Sequence, residues 1–189
     1  GTVGTGSVMQ GTKIRFSEYQ AAVGLAMLKR LDAETTTRNE NAAYLTKLVA
    51  DIPGIIPQKM YPDTTRGAYH LYGFRFKAND FKGLSRNDFL KALRAEGVPC
   101  SSGYTPLNTQ PFLASTFETP TYRKIYSKKD LNIETYNKNN RCPENDLLCE
   151  EAVWFTQNML LAEKSDMEYI AAAIRKTYQN ADKLKASLR

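Results

Sequence analysis

Two cations two residues apart, Lys13 and Arg15, stand at the end of a glycine-rich lead-in and directly ahead of a helix start at Ser17. An ammonium and a guanidinium so placed suit an anion, the first as a point charge and the second as a planar fork of donors. Other chemistry is sparsely provided. The phosphate loop G-x-x-x-x-G-K-S/T is absent, and Gly4-Thr-Gly6 lacks both a preceding strand and the rest of a dinucleotide fingerprint. The single histidine, His70, cannot build a metal-ligand cluster, and its place in an aromatic alternation predicts a hydrogen-bonded core side chain. Cys100, Cys142 and Cys149 are odd in number and lack C-x-x-C spacing, so they read as thiols of a reducing cytoplasm; no metal site is expected. A self-contained enzyme is not what these residues describe.

The elements that must position these residues are better signalled. Ser17 and Gln20 form a capping box, Glu18 favours the first turn, and Ala21, Leu25, Leu28 and Leu31 share a face widened by Ala22, Val23 and Ala26. The pattern predicts a helix held tightly against a neighbour. Asp32 is expected to cap a second helix ending near Ile52, stopped by Pro53-Gly54. Residues 68–77 change period from 3.6 to 2, with His70, Tyr72, Phe74 and Phe76 on one face of a predicted strand. Ser85-x-x-Asp88 opens a helix closed by Gly97, and residues 98–102 are extended. From Thr105 to Asn145 the prolines and scattered tyrosines predict a long, polar, solvated connection, with segments of its own structure or a functional role to explain its length. A helix over residues 149–157, a short strand over 159–162 and a final helix capped by Ser165 and Glu168 complete the expectation; Asp146 is read as a helix N-terminal cap.

The 189 residues suit one domain, and 42% hydrophobic with 24% charged residues describe a soluble globular chain. No apolar run reaches the length of a membrane span. The net charge of +6 permits anionic partners, but twenty acidic residues lie among the basic ones and no helix carries a purely basic stripe.

An ordered series of segments adds a specific resemblance. Gly11-x-Lys13-x-Arg15-x-Ser17-Glu18-x-Gln20-Ala21-Ala22 is followed by Tyr69-His70-Leu71-Tyr72, by Ser85-Arg86 and Glu96-Gly97-Val98-Pro99, and by Gly103-Tyr104-x-Pro106-Leu107. Cys142-Pro143-x-x-Asp146 and the helix from Asp166 close it. The series resembles the second half of the DegT/StrS family of pyridoxal-phosphate-dependent sugar aminotransferases. The resemblance implies a fold-type I enzyme, a cytoplasmic homodimer with active sites at the subunit interface. It places the Schiff-base lysine upstream of this chain, so no catalytic residue is assigned here and the chain alone is expected to be inactive. Residues 1–16 would lead in from an N-terminal cofactor-binding large domain, and residues 17–189 would form the C-terminal small domain with a helical arm over 17–52.

On the same resemblance, Lys13 stands where many relatives have an asparagine that bonds the phosphate of the neighbouring subunit's pyridoxal 5'-phosphate. Arg15 would meet the anionic part of the amino donor or hold the interface, and Tyr104 would lie on the substrate side of the site. The implied reaction moves an amino group from glutamate or glutamine to a keto sugar, as a sugar nucleotide, or to a cyclitol. The fold class expected is α/β with an α+β-like small domain: a short, mostly antiparallel sheet packed with helices. Two other functions compete. One is a non-catalytic dimerisation or sugar-binding module; the other is a basic domain that binds nucleic acid through residues 122–141.

Overall fold

The computed structural model describes residues 17–187. These fall into two compact units, one of residues 104–150 and the other of residues 17–103 with 151–187.

The larger unit is built on a four-stranded antiparallel sheet of β1 (Ile55–Pro57), β2 (Leu71–Phe76), β3 (Ser101–Ser102) and β4 (Ala152–Thr156), in the order β1-β2-β4-β3. Strand β2 alternates aromatic with other residues, and Tyr72, Phe74 and Phe76 are buried on one face. Its register with β4 sets Tyr72 opposite Phe155 and Phe74 opposite Val153, so both strands turn the same face inward. That face is covered by Leu45 and Val49 of α2 (Leu31–Val49), Phe89 and Leu93 of α3 (Arg86–Ala95), and Met167 and Ile174 of α8 (Lys164–Gln179). Phe89 is the hub: its ring stacks on Phe76 at 4.4 Å and meets Phe81 edge-on at 5.2 Å. Burying one such side chain contributes ~1.5–3 kcal/mol. The solvent-exposed ion pairs, such as Arg175 with Asp51 at 2.8 Å, are screened by water and add little, so the aromatic core dominates the fold.

Polar side chains fasten α2 where apolar ones would not reach. The buried amide Nδ2 of Asn41 donates to the carbonyls of Leu160, at 3.0 Å, and Ala162, at 2.8 Å. Arg38, also buried, donates from Nε to Gln157 at 2.8 Å and pairs with Glu34 at 3.1 Å. These bonds hold the α2 flank to the segment after β4, where a short 3-10 turn, Met159–Leu161, buries Leu160.

Several expectations are corrected here. Helix α1 (Glu18–Leu28) has its predicted capping box, but none of its residues is buried, so within the described residues nothing grips it. Asp32 does not cap α2: Arg30 occupies that position without a side-chain bond, while Asp32 pairs with Arg66 at 2.9 Å. His70 is exposed, on a bend that follows Tyr69 at φ 45°, and so lies outside the core. Residues 149–157 divide between the end of α7 (Pro143–Glu151) and strand β4, because Val153 and Phe155 pair with β2 and alternate inward. Residues 159–161 form the 3-10 turn in place of a strand. The cap of α8 lies two residues before the predicted Ser165, with Glu163 and Asp166 making the capping box; Glu163 N donates to Asp166 at 3.0 Å.

Within residues 104–150, the long polar stretch expected to be functional, partly helical or mobile carries several short helices. A 3-10 turn (Leu107–Thr109) precedes α4 (Pro111–Phe117), α5 (Pro120–Ile125), α6 (Ile133–Asn139) and α7. Pro111, Pro120 and Pro143 each take the first helical position, where a missing N–H costs nothing. Thr119 and Asn132 cap α5 and α6 through their side-chain oxygens. The same prolines that suggest a loop are helix starts. After α8 the chain continues into α9 (Ala181–Ser187).

Candidate functional site

Lys13 and Arg15 lie outside the described residues. Tyr104 is described, half-exposed, at the first position of the helical unit, and it lines an open cleft of about 390 Å³. The cleft's other walls are Thr105, Leu107 and Asn108 on one side and Cys142, Asn145 and Cys149 on the other. The local sequence makes this arrangement. Pro106 starts the 3-10 turn, and Gln110 Nε2 folds back to Thr105 Oγ1 at 2.8 Å and to the Pro106 carbonyl at 2.9 Å, fixing the loop that carries Tyr104. Asn108 Nδ2 donates to the Asn140 carbonyl at 2.7 Å, tying that loop to the end of α6. Cys142, Asn145 and Cys149 recur at helical spacing and so share one face of the α7 region. The lining offers a phenol, a hydroxyl, two amides, two thiols and one leucine. Among the described residues no charged side chain lines it, and the groups present suit a ligand with hydroxyl groups.

A second cleft in the same unit, of about 460 Å³, has a different chemistry. Ala114, Phe117, Leu131 and Ile133, all half-buried, line it together with exposed Glu118, Arg123, Tyr126 and Lys128. The local sequence signals here, prolines and scattered lysines, single out no cleft; it arises only when α4, α5 and α6 are packed.

In the larger unit, Arg75 on the sheet face turned away from the helices makes a half-buried ion pair, Nε to Glu151 Oε2 at 2.6 Å. Arg86 donates to the Ala152 carbonyl at 3.2 Å. Of the thiols, Cys100 is held up in pKa chiefly by burial, against the pull of neighbouring Arg94. Tyr72 is pushed up to about 12, first by burial, while its hydrogen bond with Thr46 works the other way. These are properties of a core and not of an activated nucleophile. Asp146 lies in the first turn of α7 and not at its cap, so the capping role expected for it is not what it performs.

Pyridoxal phosphate needs a desolvated lysine, a partner for its ring nitrogen and a cradle for its phosphate. The described residues do not fit that demand. The one lysine that lines a cleft, Lys128, is exposed, as is the carboxylate of Glu118 beside it. Among the described residues no group of three or more His, Cys, Asp and Glu could hold a metal ion, and no helix is long and apolar enough to cross a membrane.

Comparison with known proteins places these elements. The chain is 32% identical over 186 residues to the L-glutamine:2-deoxy-scyllo-inosose aminotransferase of Streptoalloteichus tenebrarius, a match that covers 97% of the chain and 42% of that protein. It is 30% identical over 184 residues to the enzyme of the same name from Streptomyces kanamyceticus, covering 94% of the chain and 40% of the relative. The chain thus spans about two fifths of the length of these relatives. Its fold matches the crystal structure of 3-amino-5-hydroxybenzoic acid synthase with a TM-score of 0.65 at 23% identity, over 92% of the chain and 41% of that structure. The antiparallel sheet and its helices are therefore the C-terminal architecture of such aminotransferases. With residues 3–175 also matching its family model, this chain belongs to the DegT/DnrJ/EryC1/StrS aminotransferase family, which is pyridoxal-phosphate-dependent.

Proposed function

We propose that this chain is the C-terminal part of an aminotransferase that moves the amino group of L-glutamine to the ketone of a cyclitol. The observation that carries the reading is the alignment, over 97% and 94% of the chain, with two glutamine-dependent scyllo-inosose aminotransferases. The Tyr104 cleft agrees with it. A cyclitol is an uncharged ring bearing hydroxyls, and among the described residues the cleft lines up neutral hydrogen-bonding groups. In this reading Tyr104 donates its phenol proton to a ring hydroxyl of the acceptor, and Asn108 and Asn145 orient the ring. Arg15 takes the carboxylate of the amino donor, and Lys13 takes the phosphate of the cofactor held by the neighbouring subunit of a homodimer. The bound cofactor supplies the carrier of the amino group; its lysine belongs to a large domain upstream of this chain, and this chain on its own is inactive.

The test uses the full-length gene product with pyridoxal phosphate, L-glutamine and 2-deoxy-scyllo-inosose, with formation of the aminocyclitol followed by mass spectrometry. Amino transfer to the cyclitol is expected, with a nucleotide-linked keto sugar a much poorer acceptor. Preference for the keto sugar would overturn the acceptor assignment. Turnover by the 189-residue chain alone would overturn the division of labour between the two parts.

A further inference from the structure

The geometry points to a second ligand site in residues 114–133: the cleft of about 460 Å³ binds a flat aromatic anion, the ring on an apolar floor and the charge between Arg123 and Lys128. This site is separate from the Tyr104 cleft, shares no lining residue with it, and does not depend on the acceptor assigned there.

Three observations combine. The floor is apolar and half-covered: Ala114 and Phe117 come from α4, Ile133 from the start of α6, and Leu131 from the residues just before it. Half-buried apolar surface in a concave site gains by being covered, at ~25 cal/mol per Å². Its size falls in the range of small-molecule pockets, roughly 300–1,000 Å³.

Second, aromatic faces around this floor are set by one another. Phe117 stacks on Tyr122 at 6.2 Å with 29° between ring planes and meets Tyr136 edge-on at 5.2 Å, while Tyr122 lies 5.6 Å from Tyr126. Phe117 and Tyr126, the two rings of this cluster that line the cleft, are thus braced from behind by Tyr122. A planar ring can add to such a cluster in an offset or edge-on arrangement.

Third, the rim charge is unspent. Arg123 at the end of α5 and Lys128 after it both line the cleft, and neither is ion-paired among the described residues, not even with Glu118 on the same rim. Two unneutralised cations beside an apolar floor leave an anion the better occupant than a neutral ring, and Arg123 can offer two parallel N–H donors to a carboxylate or a phosphate. The single carboxylate, Glu118, adds selectivity by accepting from a hydroxyl or amine on the ring and by repelling a second negative charge at its own end. Among the described residues the Tyr104 cleft offers no such pair of cations.

The experiment titrates the 189-residue chain with 1-naphthyl phosphate, 2-naphthoate, inorganic phosphate and the neutral 1-naphthalenemethanol, by calorimetry and by naphthyl fluorescence. At least one naphthyl anion is expected to bind once per chain, about tenfold or more tighter than either the ringless phosphate or the neutral alcohol. Which of the two anions is favoured tells whether the natural ligand carries a phosphate or a carboxylate. Arg123→Gln and Lys128→Gln are both at exposed positions and leave the fold intact by circular dichroism; each should weaken binding about tenfold. Equal binding of the neutral alcohol, or variants that bind like the parent, would overturn the site. So would binding of a single-stranded oligonucleotide with none of either naphthyl anion, which would make residues 122–141 a nucleic-acid surface instead.

Discussion

Tyr104, Cys100 and Tyr72 show how differently three reactive side chains are used in one chain. Tyr104 is exposed in a cleft, where a phenol can reach a ligand; Tyr72 is buried to 1% exposure, where it is a core ring with a hydrogen bond to Thr46 at 2.9 Å. Because burial raises the Tyr72 pKa to about 12, the folded state resists losing that proton, while the unfolded chain loses it near the ordinary value of 10. The stabilisation from keeping it neutral is complete below pH ~10 and is lost as pH rises through about 12. Tyr72→Phe should therefore flatten the alkaline fall in stability over that window, read from urea midpoints at a series of pH values; an unchanged alkaline limb would contradict this. Cys100 carries a raised pKa from burial, whereas Cys142 is exposed. Iodoacetamide at pH 8 should modify Cys142 well before Cys100, as peptide mass spectrometry will resolve. Asp51 behaves in the opposite sense to Tyr72. Its bond with Arg175 holds its carboxyl below the usual range, so that contribution is present above the unfolded value and is lost as pH falls through the folded one.

Among the elements, the helices whose caps are written in the sequence are those whose ends are well determined. Ser85 accepts from Asp88 N at 3.1 Å and bonds its carboxylate at 2.6 Å, and α3 starts as its motif predicts. Ser85→Ala should cost ~1 kcal/mol, measurable by chemical denaturation. Gly54 tests a different term. At φ +80° it turns the chain ahead of β1, and a Cβ there would stand 2.7 Å from the Lys77 carbonyl and 2.9 Å from Phe81 N. Both neighbours are backbone atoms and cannot move aside, so Gly54→Ala should destabilise by more than ~1 kcal/mol, exceeding the loss of the α3 cap. The reverse order would show that the loop at Gly54 yields. Helix α1 is the contrasting element: its capping box is intact, yet Tyr19, Leu25 and Leu28 are all more than half exposed. An 11-residue helix gains little from local bonds alone.

For the whole molecule, stability is expected to be uneven. The buried aromatic cluster belongs to the larger unit, while among residues 104–150 only Thr116 is fully buried. Amide hydrogen exchange should leave β2, β4, α2 and α8 the slowest, with α1 and residues 104–150 exchanging orders of magnitude faster. Uniform protection across the chain would contradict this. The sequence alone determined what depends on neighbours in the chain: the caps at Ser17 and Ser85, the alternation of Tyr72, Phe74 and Phe76, the stop at Gly97, and the motifs that resemble the aminotransferase family. Tyr104 was legible as a candidate through its motif, but the Cys142 and Asn145 that line the same cleft were not, since they come from a segment some forty positions later. Only the tertiary structure decided that residues 152–156 are a strand, that His70 is exposed and that residues 104–150 are helices enclosing two clefts of opposite chemistry. Capping and periodicity act over three or four residues and can be read locally. Strand pairing between β2 and β4, and the meeting of Arg123 with Phe117 and Lys128, are set by which surfaces become buried together, a free energy that no short window of sequence contains.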